Sequence, residues 1–203
     1  MTQATQDGHD PTLEALREHA DVIGTSLVII GGVALARHGY ARSTTDRDVL
    51  VNHHQARPLA EQLLDDPAWE QLEIRQYCFL YRPTGIQVDF LVSRDLVHLG
   101  RPYLFPDVEA VETVEPIAGI PVIGLHDLLW LKLLASRARD FADIVELCKL
   151  HIDIIDPERV LKLLEPEDDD LRQRFLETLR QAPIELENER RFGRPQPPSE
   201  PAN

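Results

Sequence analysis

Long apolar runs are missing from this sequence. No stretch approaches the roughly 20 residues that a membrane-crossing helix needs, and Met1 to Pro11 is polar where a secretory leader would be apolar. A soluble, cytoplasmic protein without a membrane partner is therefore expected. Cysteine is scarce as well, with Cys78 and Cys148 alone. Each lies in an apolar stretch with no Cys or His at metal-ligand spacing, so both are expected as reduced core residues rather than as a disulfide or zinc ligands. Basic residues are outnumbered, 21 Lys and Arg against 35 Asp and Glu, which leaves a net charge of −14. That balance excludes a protein that coats nucleic acid through bulk electrostatics, because neutralising phosphates takes clustered cations. Glycine is thin, and the pair Gly31-Gly32 is followed by Val33-Ala-Leu-Ala-Arg without the further glycines of a dinucleotide-binding fingerprint. No internal repeat period appears.

What is present is 203 residues with 43% hydrophobic content, enough for one sizeable core with a helical part attached. The acidic excess is uneven. Arginines at positions 37, 42, 47, 57, 75, 82, 94 and 101 nearly balance the carboxylates of the middle of the chain, while acid accumulates in Asp156 to Asp170. An anionic substrate remains compatible with the middle region.

Periodicity predicts a helix over about 11–19, a strand over 26–30 ending in Gly31-Gly32, and a helix over 33–38. A strand over 48–52 precedes a helix that places Leu59, Leu63 and Leu64 on one face. Two strands follow, near 72–82 and 86–93, joined by the turn Pro83-Thr84-Gly85. Short β signals at 110–114 and 121–123 lead into helical spacing over 125–135, 141–150, 157–164 and 171–181. The expected fold is α/β (α+β), a short mixed β-sheet flanked by helices with a helical C-terminal part. In domain terms, residues 1–10 are a disordered N-terminus, 11–123 the mixed core, 124–190 helices packed on it, and 191–203 a disordered Pro-rich tail.

Chemistry concentrates in Arg42-Ser-Thr-Thr-Asp-Arg-Asp48. Residues two apart on an extended chain share a face, so Asp46 and Asp48 would point the same way. Alone, the pair reads as a turn cap beside a solvated side chain. Asp89 alters that reading, because it stands inside Ile86-Gln-Val-Asp-Phe-Leu-Val92, apolar on both faces, where an isolated charge costs several kcal/mol. A divalent cation shared with Asp46 and Asp48 would compensate it, and Mg²⁺ prefers one or two carboxylates plus substrate phosphates. A salt bridge to Arg75 or Arg82 is the structural alternative.

Gly31 and Gly32, free of Cβ, would let the backbone approach a phosphate at the start of a helix, although a tight turn explains them equally. Arg42 is a candidate phosphate clamp. Ser43, Thr44 and Thr45 either cap a turn or donate to phosphate oxygens. Lys132 is the one charge in Leu128 to Ala135, so it either reaches a phosphate or snorkels over apolar surface. Arg137 with Asp140, and Arg139 with Asp143, have helix-surface ion-pair spacing. Arg137 and Asp140 are kept as secondary candidates. His53-His54 reads as surface, and Tyr77 to Tyr81 as core rather than a base-stacking platform.

The order Ile29-Ile-Gly-Gly32, Arg42-Ser-Thr-Thr-Asp-Arg-Asp48 and Val88-Asp-Phe90 resembles the nucleotidyltransferase superfamily. Within it, the chain is most similar to the AbiEii-type group of abortive-infection toxins. His38-Gly39 ahead of the Asp pair supports this, as does Leu128-Leu-Trp-Leu-Lys132 followed by Arg137-Ala-Arg-Asp140-Phe-Ala-Asp143. The resemblance spans about residues 25–150. It implies a nucleotidyltransferase fold with two Mg²⁺ ions, or Mn²⁺, on Asp46, Asp48 and Asp89. Gly31, Gly32, Arg42, Thr44 and Lys132 would bind the phosphates of a nucleoside triphosphate such as ATP. It further implies transfer of a nucleotidyl group to a hydroxyl of a tRNA end, a protein or a small molecule, with an antitoxin protein as a partner. Two other expectations share the same residues: a silent nucleotide-binding or regulatory module of this fold, and a different phosphotransferase.

Overall fold

The structure is a computed structural model that describes residues 9–73, 75–98 and 100–193. The expected N-terminal and C-terminal disordered segments fall largely outside these residues. Helix α1 (Pro11–Ile23) begins where Asp10 accepts the backbone N–H groups of Thr12 and Leu13, with Pro11 in the first turn. It ends at Gly24 with φ 65°, a left-handed cap open to glycine. Leu13, Leu16 and Ala20, one helical stripe, are buried.

The other elements in chain order are β1 (Leu27–Ile29), α2 (Gly31–Arg37), β2 (Asp46–Val51), α3 (His53–Leu64), β3 (Trp69–Gln71), β4 (Cys78–Tyr81) and β5 (Ile86–Val92). A 3-10 turn at Val108–Ala110 precedes β6 (Thr113–Ile117) and β7 (Ile120–Ile123), followed by α4 (Leu125–Ala135), α5 (Ala138–His151), α6 (Pro157–Leu161) and α7 (Asp169–Phe192). The seven strands form one mixed sheet in the order β3-β4-β5-β2-β1-β7-β6. β2 pairs with β5 and β1 with β7 in parallel, and the remaining pairs are antiparallel. Central β1 is buried throughout, as its apolar Leu-Val-Ile demands. α1 packs on α3, α2 against β2 and β7, and α4 to α7 on one another.

The structure departs from the sequence pattern where local signals compete. Of the long strand expected over 72–82 only β4 (Cys78–Tyr81) is strand; β3 lies before it, and Arg75 stands in the connection between the two. Leu59 and Leu63 are buried but Leu64 is 44% exposed, because its five-residue offset from Leu59 rotates it about 140° off the stripe. The helix expected over 171–181 continues through Pro183 to Phe192. Cys78 and Cys148 are buried free thiols, and burial pushes each up to about 12. No helix among the described residues is long and apolar enough to cross a membrane.

Candidate active site

The parallel pairing of β2 with β5 sets Asp48 beside Asp89 and Asp46 beside Gln87. Alternation along β2 sends the buried Arg47 to the other face, where its Nε donates to Asp10 Oδ2 at 2.7 Å. Asp46 and Asp48 stay half-buried on the near face with Asp89, which is 5% exposed. One oxygen of each carboxylate lies within 4.8 Å of the others. Desolvation, then the charges of Asp46 and Asp89, push Asp48 up to about 6, against an opposing pull from Lys132 and Arg137. Three crowded oxygen-only ligands, one resisting ionisation, suit a hard divalent cation.

The salt-bridge alternative for Asp89 is weak. Arg75 Nη1 approaches its Oδ2 only to 3.7 Å, from a side chain that is 66% exposed, and Arg82 turns to Glu70 instead. The close donors are Gln87, whose Nε2 lies 3.0 and 3.1 Å from the two oxygens of Asp89, and the buried Cys78 thiol opposite it on β4. Gln87 was missed in the sequence. Its signal was present, two residues before Asp89 and thus on the same strand face.

Gly31 and Gly32 serve the site differently from the sequence expectation. Gly31 has φ 65°, and a Cβ there would lie 1.9 Å from Asp48 Oδ2; a Cβ on Gly32 would lie 2.6 Å from Thr44 Oγ1. The glycines thus make room for the site's own side chains. Thr44 in turn donates its hydroxyl to Asp46 Oδ1 at 2.6 Å, so it orients a carboxylate. Ile30 N–H to Asp48 O, 2.9 Å, ties the turn to β2.

A second cluster faces the triad. Lys132 on α4 is buried, and its Nζ donates to Asp143 Oδ2 at 2.6 Å and to Asp140 Oδ1 at 3.3 Å. Lys132 thus stands in a buried ion network while also lining the cavity beside Asp48. Arg42, expected as a phosphate clamp, has Nε and Nη2 on the two oxygens of Asp143 at 2.8 and 3.1 Å. It does not line the cavity, because the buried carboxylate holds it. Arg137 does pair with Asp140, at 2.6 Å, but Asp140 is buried rather than on a helix surface. Burial works against ionisation of Asp140, yet Arg137 and Lys132 outweigh it and lower its pKa. Asp143, at ion-pair spacing from Arg139 and the last residue of the Arg137-Ala-Arg-Asp140-Phe-Ala-Asp143 run, is buried as well. Its spacing of three from Asp140 placed both carboxylates on the inward face of α5.

Next to Asp48 opens a cavity of about 700 Å³. Asp48, Gly31, Arg75, His98, Lys132, Arg137 and Asp140 line it. Leu91, Leu96, Val97, Phe105, Leu128 and Leu131 supply an apolar wall. Such a space accepts a molecule with an anionic part and an apolar ring.

A family model described as Nucleotidyl transferase AbiEii toxin, Type IV TA system, matches residues 14–201. No curated protein sequence matches the chain. Among solved structures, an antigenic nucleotidyltransferase-like protein from Paracoccidioides brasiliensis is similar with a TM-score of 0.55 and 18% identity, over 87% of this chain and 89% of that one. ANT(2")-Ia in complex with adenylyl-2"-tobramycin aligns with a TM-score of 0.49 and 15% identity, over 82% of this chain and 95% of its own. The first of these likenesses concerns the fold: a mixed sheet with flanking helices.

Proposed function

Given that the chain belongs to the AbiEii nucleotidyl transferase family, matched over nearly its whole length, we propose that Asp46, Asp48 and Asp89 carry metal-dependent nucleotidyl transfer to an acceptor hydroxyl. The observation that supports this most is the convergence of three carboxylates on paired strands, one of which, Asp48, lines a cavity together with Lys132 and Arg137. Bound Mg²⁺ or Mn²⁺ would supply neutralisation of the charge that develops on the phosphate oxygens.

The chain's own residues do the rest. Asp46, Asp48 and Asp89 would hold the cations, with Thr44 orienting Asp46. Asp89 accepts the proton of the attacking hydroxyl. The acceptor oxygen forms a bond to the α-phosphorus, the bond from that phosphorus to the β-phosphate oxygen breaks, and pyrophosphate leaves. Lys132 and Arg137 face the leaving phosphates, and Arg42 steadies Lys132 through Asp143. The apolar wall packs the base and ribose.

The test is incubation with each triphosphate, labelled at the α- or the γ-phosphate, together with Mg²⁺ and total cell RNA or lysate. Label should pass to an acceptor from the α-position alone and disappear in Asp46→Asn and Asp48→Asn. Transfer from the γ-position would indicate a phosphotransferase. Metal-dependent nucleotide binding with no product would indicate a silent binding module. We further propose a toxin role with an antitoxin partner, on the strength of the family description. Expression in a bacterial host should arrest growth with the native chain and not with Asp46→Asn.

A further inference from the structure

We infer that Gln87 is a fourth, neutral member of the cation site, donating to Asp89 when the site is empty and turning its carbonyl to the ion when it is filled. The inference rests on the metal-dependent reading of the triad. Parallel register makes a square of Asp46 beside Gln87 and Asp48 beside Asp89, all four on one face of the sheet. Three corners are carboxylates and the fourth is an amide. Gln87 Nε2 reaches both oxygens of Asp89, at 3.0 and 3.1 Å, so the amide N–H₂ stands where positive charge is wanted beside a 5% exposed carboxylate. The buried thiol of Cys78, opposite Asp89 on β4, also hydrogen-bonds this carboxylate, but a thiol is a weak donor, and Arg75 is 3.7 Å away and largely in solvent.

An amide is suited to both states. Its N–H₂ end compensates a bare carboxylate, and rotation about its last bond presents an oxygen, which is an acceptable ligand for Mg²⁺, Mn²⁺ or Ca²⁺. A leucine of similar size could do neither. A glutamate would keep the oxygen but lose the donor, and would crowd the triad with a fourth charge.

The experiment is Mn²⁺ titration of the nucleotide-free protein by electron paramagnetic resonance, for the native chain, Gln87→Leu and Gln87→Glu, with thermal unfolding of each as a folding control. Gln87→Leu should weaken Mn²⁺ binding by about 10-fold, the lower range for loss of a ligand-supporting group. Gln87→Glu, which keeps a side-chain oxygen, should bind at least as tightly as the native chain, and weaker binding by it overturns the inference. Equal or tighter binding by Gln87→Leu overturns the inference, since the amide would then only compete with the ion. Native protein that binds no Mn²⁺, with Asp46→Asn indistinguishable from it, overturns the metal reading and this inference together.

Discussion

Gly31 and Asp48 meet so closely that a single methyl group on the glycine would overlap the carboxylate, 1.9 Å from Oδ2 and 2.8 Å from Cβ. Because Asp48 Cβ is also within that radius, rotating the carboxylate away cannot relieve the clash. Gly31→Ala should therefore displace Asp48 and also strain a backbone at φ 65°. The expected result is destabilisation of about 1–3 kcal/mol with transfer activity near background. Thermal unfolding and the labelled-triphosphate assay check it; an active, equally stable variant would rule out the close fit.

The crowding of the triad gives a pH dependence. Asp48 is raised from 3.8 to about 6, so between these values the folded protein holds a proton that the unfolded chain has lost. Stability from this group is thus complete below 3.8 and is lost as pH rises through about 6. At neutral pH the ionised form costs at most about 3 kcal/mol, and solvent at the half-buried group reduces this to about 1–2. Without added metal, Asp48→Asn should unfold at a higher temperature than the native chain at pH 7.5, with the gap closing toward pH 4. A cation must displace that proton, so Mn²⁺ affinity of the native chain should rise through pH 6. A pH-independent gap would remove the electrostatic account.

Strand periodicity and the cost of a buried charge made the triad legible, because Asp89 sits in an apolar run where a carboxylate needs a compensating partner. Topology was not legible. Nothing local in Asp46-Arg-Asp48 or in Val88-Asp-Phe90 states that β2 and β5 pair in parallel, yet that register decides which side chains share the site. Arg42 and Asp143 illustrate the same limit. They lie 101 residues apart, and each had a local explanation, a phosphate clamp or a helix-surface pair, that the tertiary contact replaces. Gln87 was overlooked for another reason: amides carry no charge cost that would mark them in an apolar strand.

The cationic cluster yields a stability prediction. Lys132 lies buried between Asp140 and Asp143, so Lys132→Met leaves two buried carboxylates with only Arg42 and Arg137 to answer them. Breaking a buried pair from one side costs about 3–5 kcal/mol, or a fall of roughly 6–20 °C in Tm at this chain length. Adding Asp143→Asn should restore a good part of the stability, because one uncompensated charge goes. Activity should stay lost in both, since the cation facing the cavity is absent. If the double variant is less stable than the single one, Lys132 and Asp143 are not coupled as described.

The segment between β5 and β6 should respond to a contact remote from the triad. Leu96 bridges Leu104, and Val97 N–H bonds Tyr103 O at 2.9 Å, so residues on either side of this turn hold each other. Val97 and Phe105 present apolar surface to the cavity. The turn is tied to the helical C-terminal part by Arg101 and the Tyr103 hydroxyl, both bonded to Asp168, while Arg101 also reaches Asp170 at 2.7 Å. Tyr103 is 7% exposed, so Tyr103→Phe takes one of two partners from Asp168, which keeps Arg101, and takes the hydroxyl from the Glu165 N–H, at about 1–2 kcal/mol. Loosening should be local. Amide exchange across 100–105 should quicken by about 10-fold, which 1.4 kcal/mol corresponds to, and KM for the triphosphate should rise more than kcat falls. Exchange that quickens equally in β1 and β2 would mean that the whole fold, and not this wall of the cavity, depends on the tyrosine.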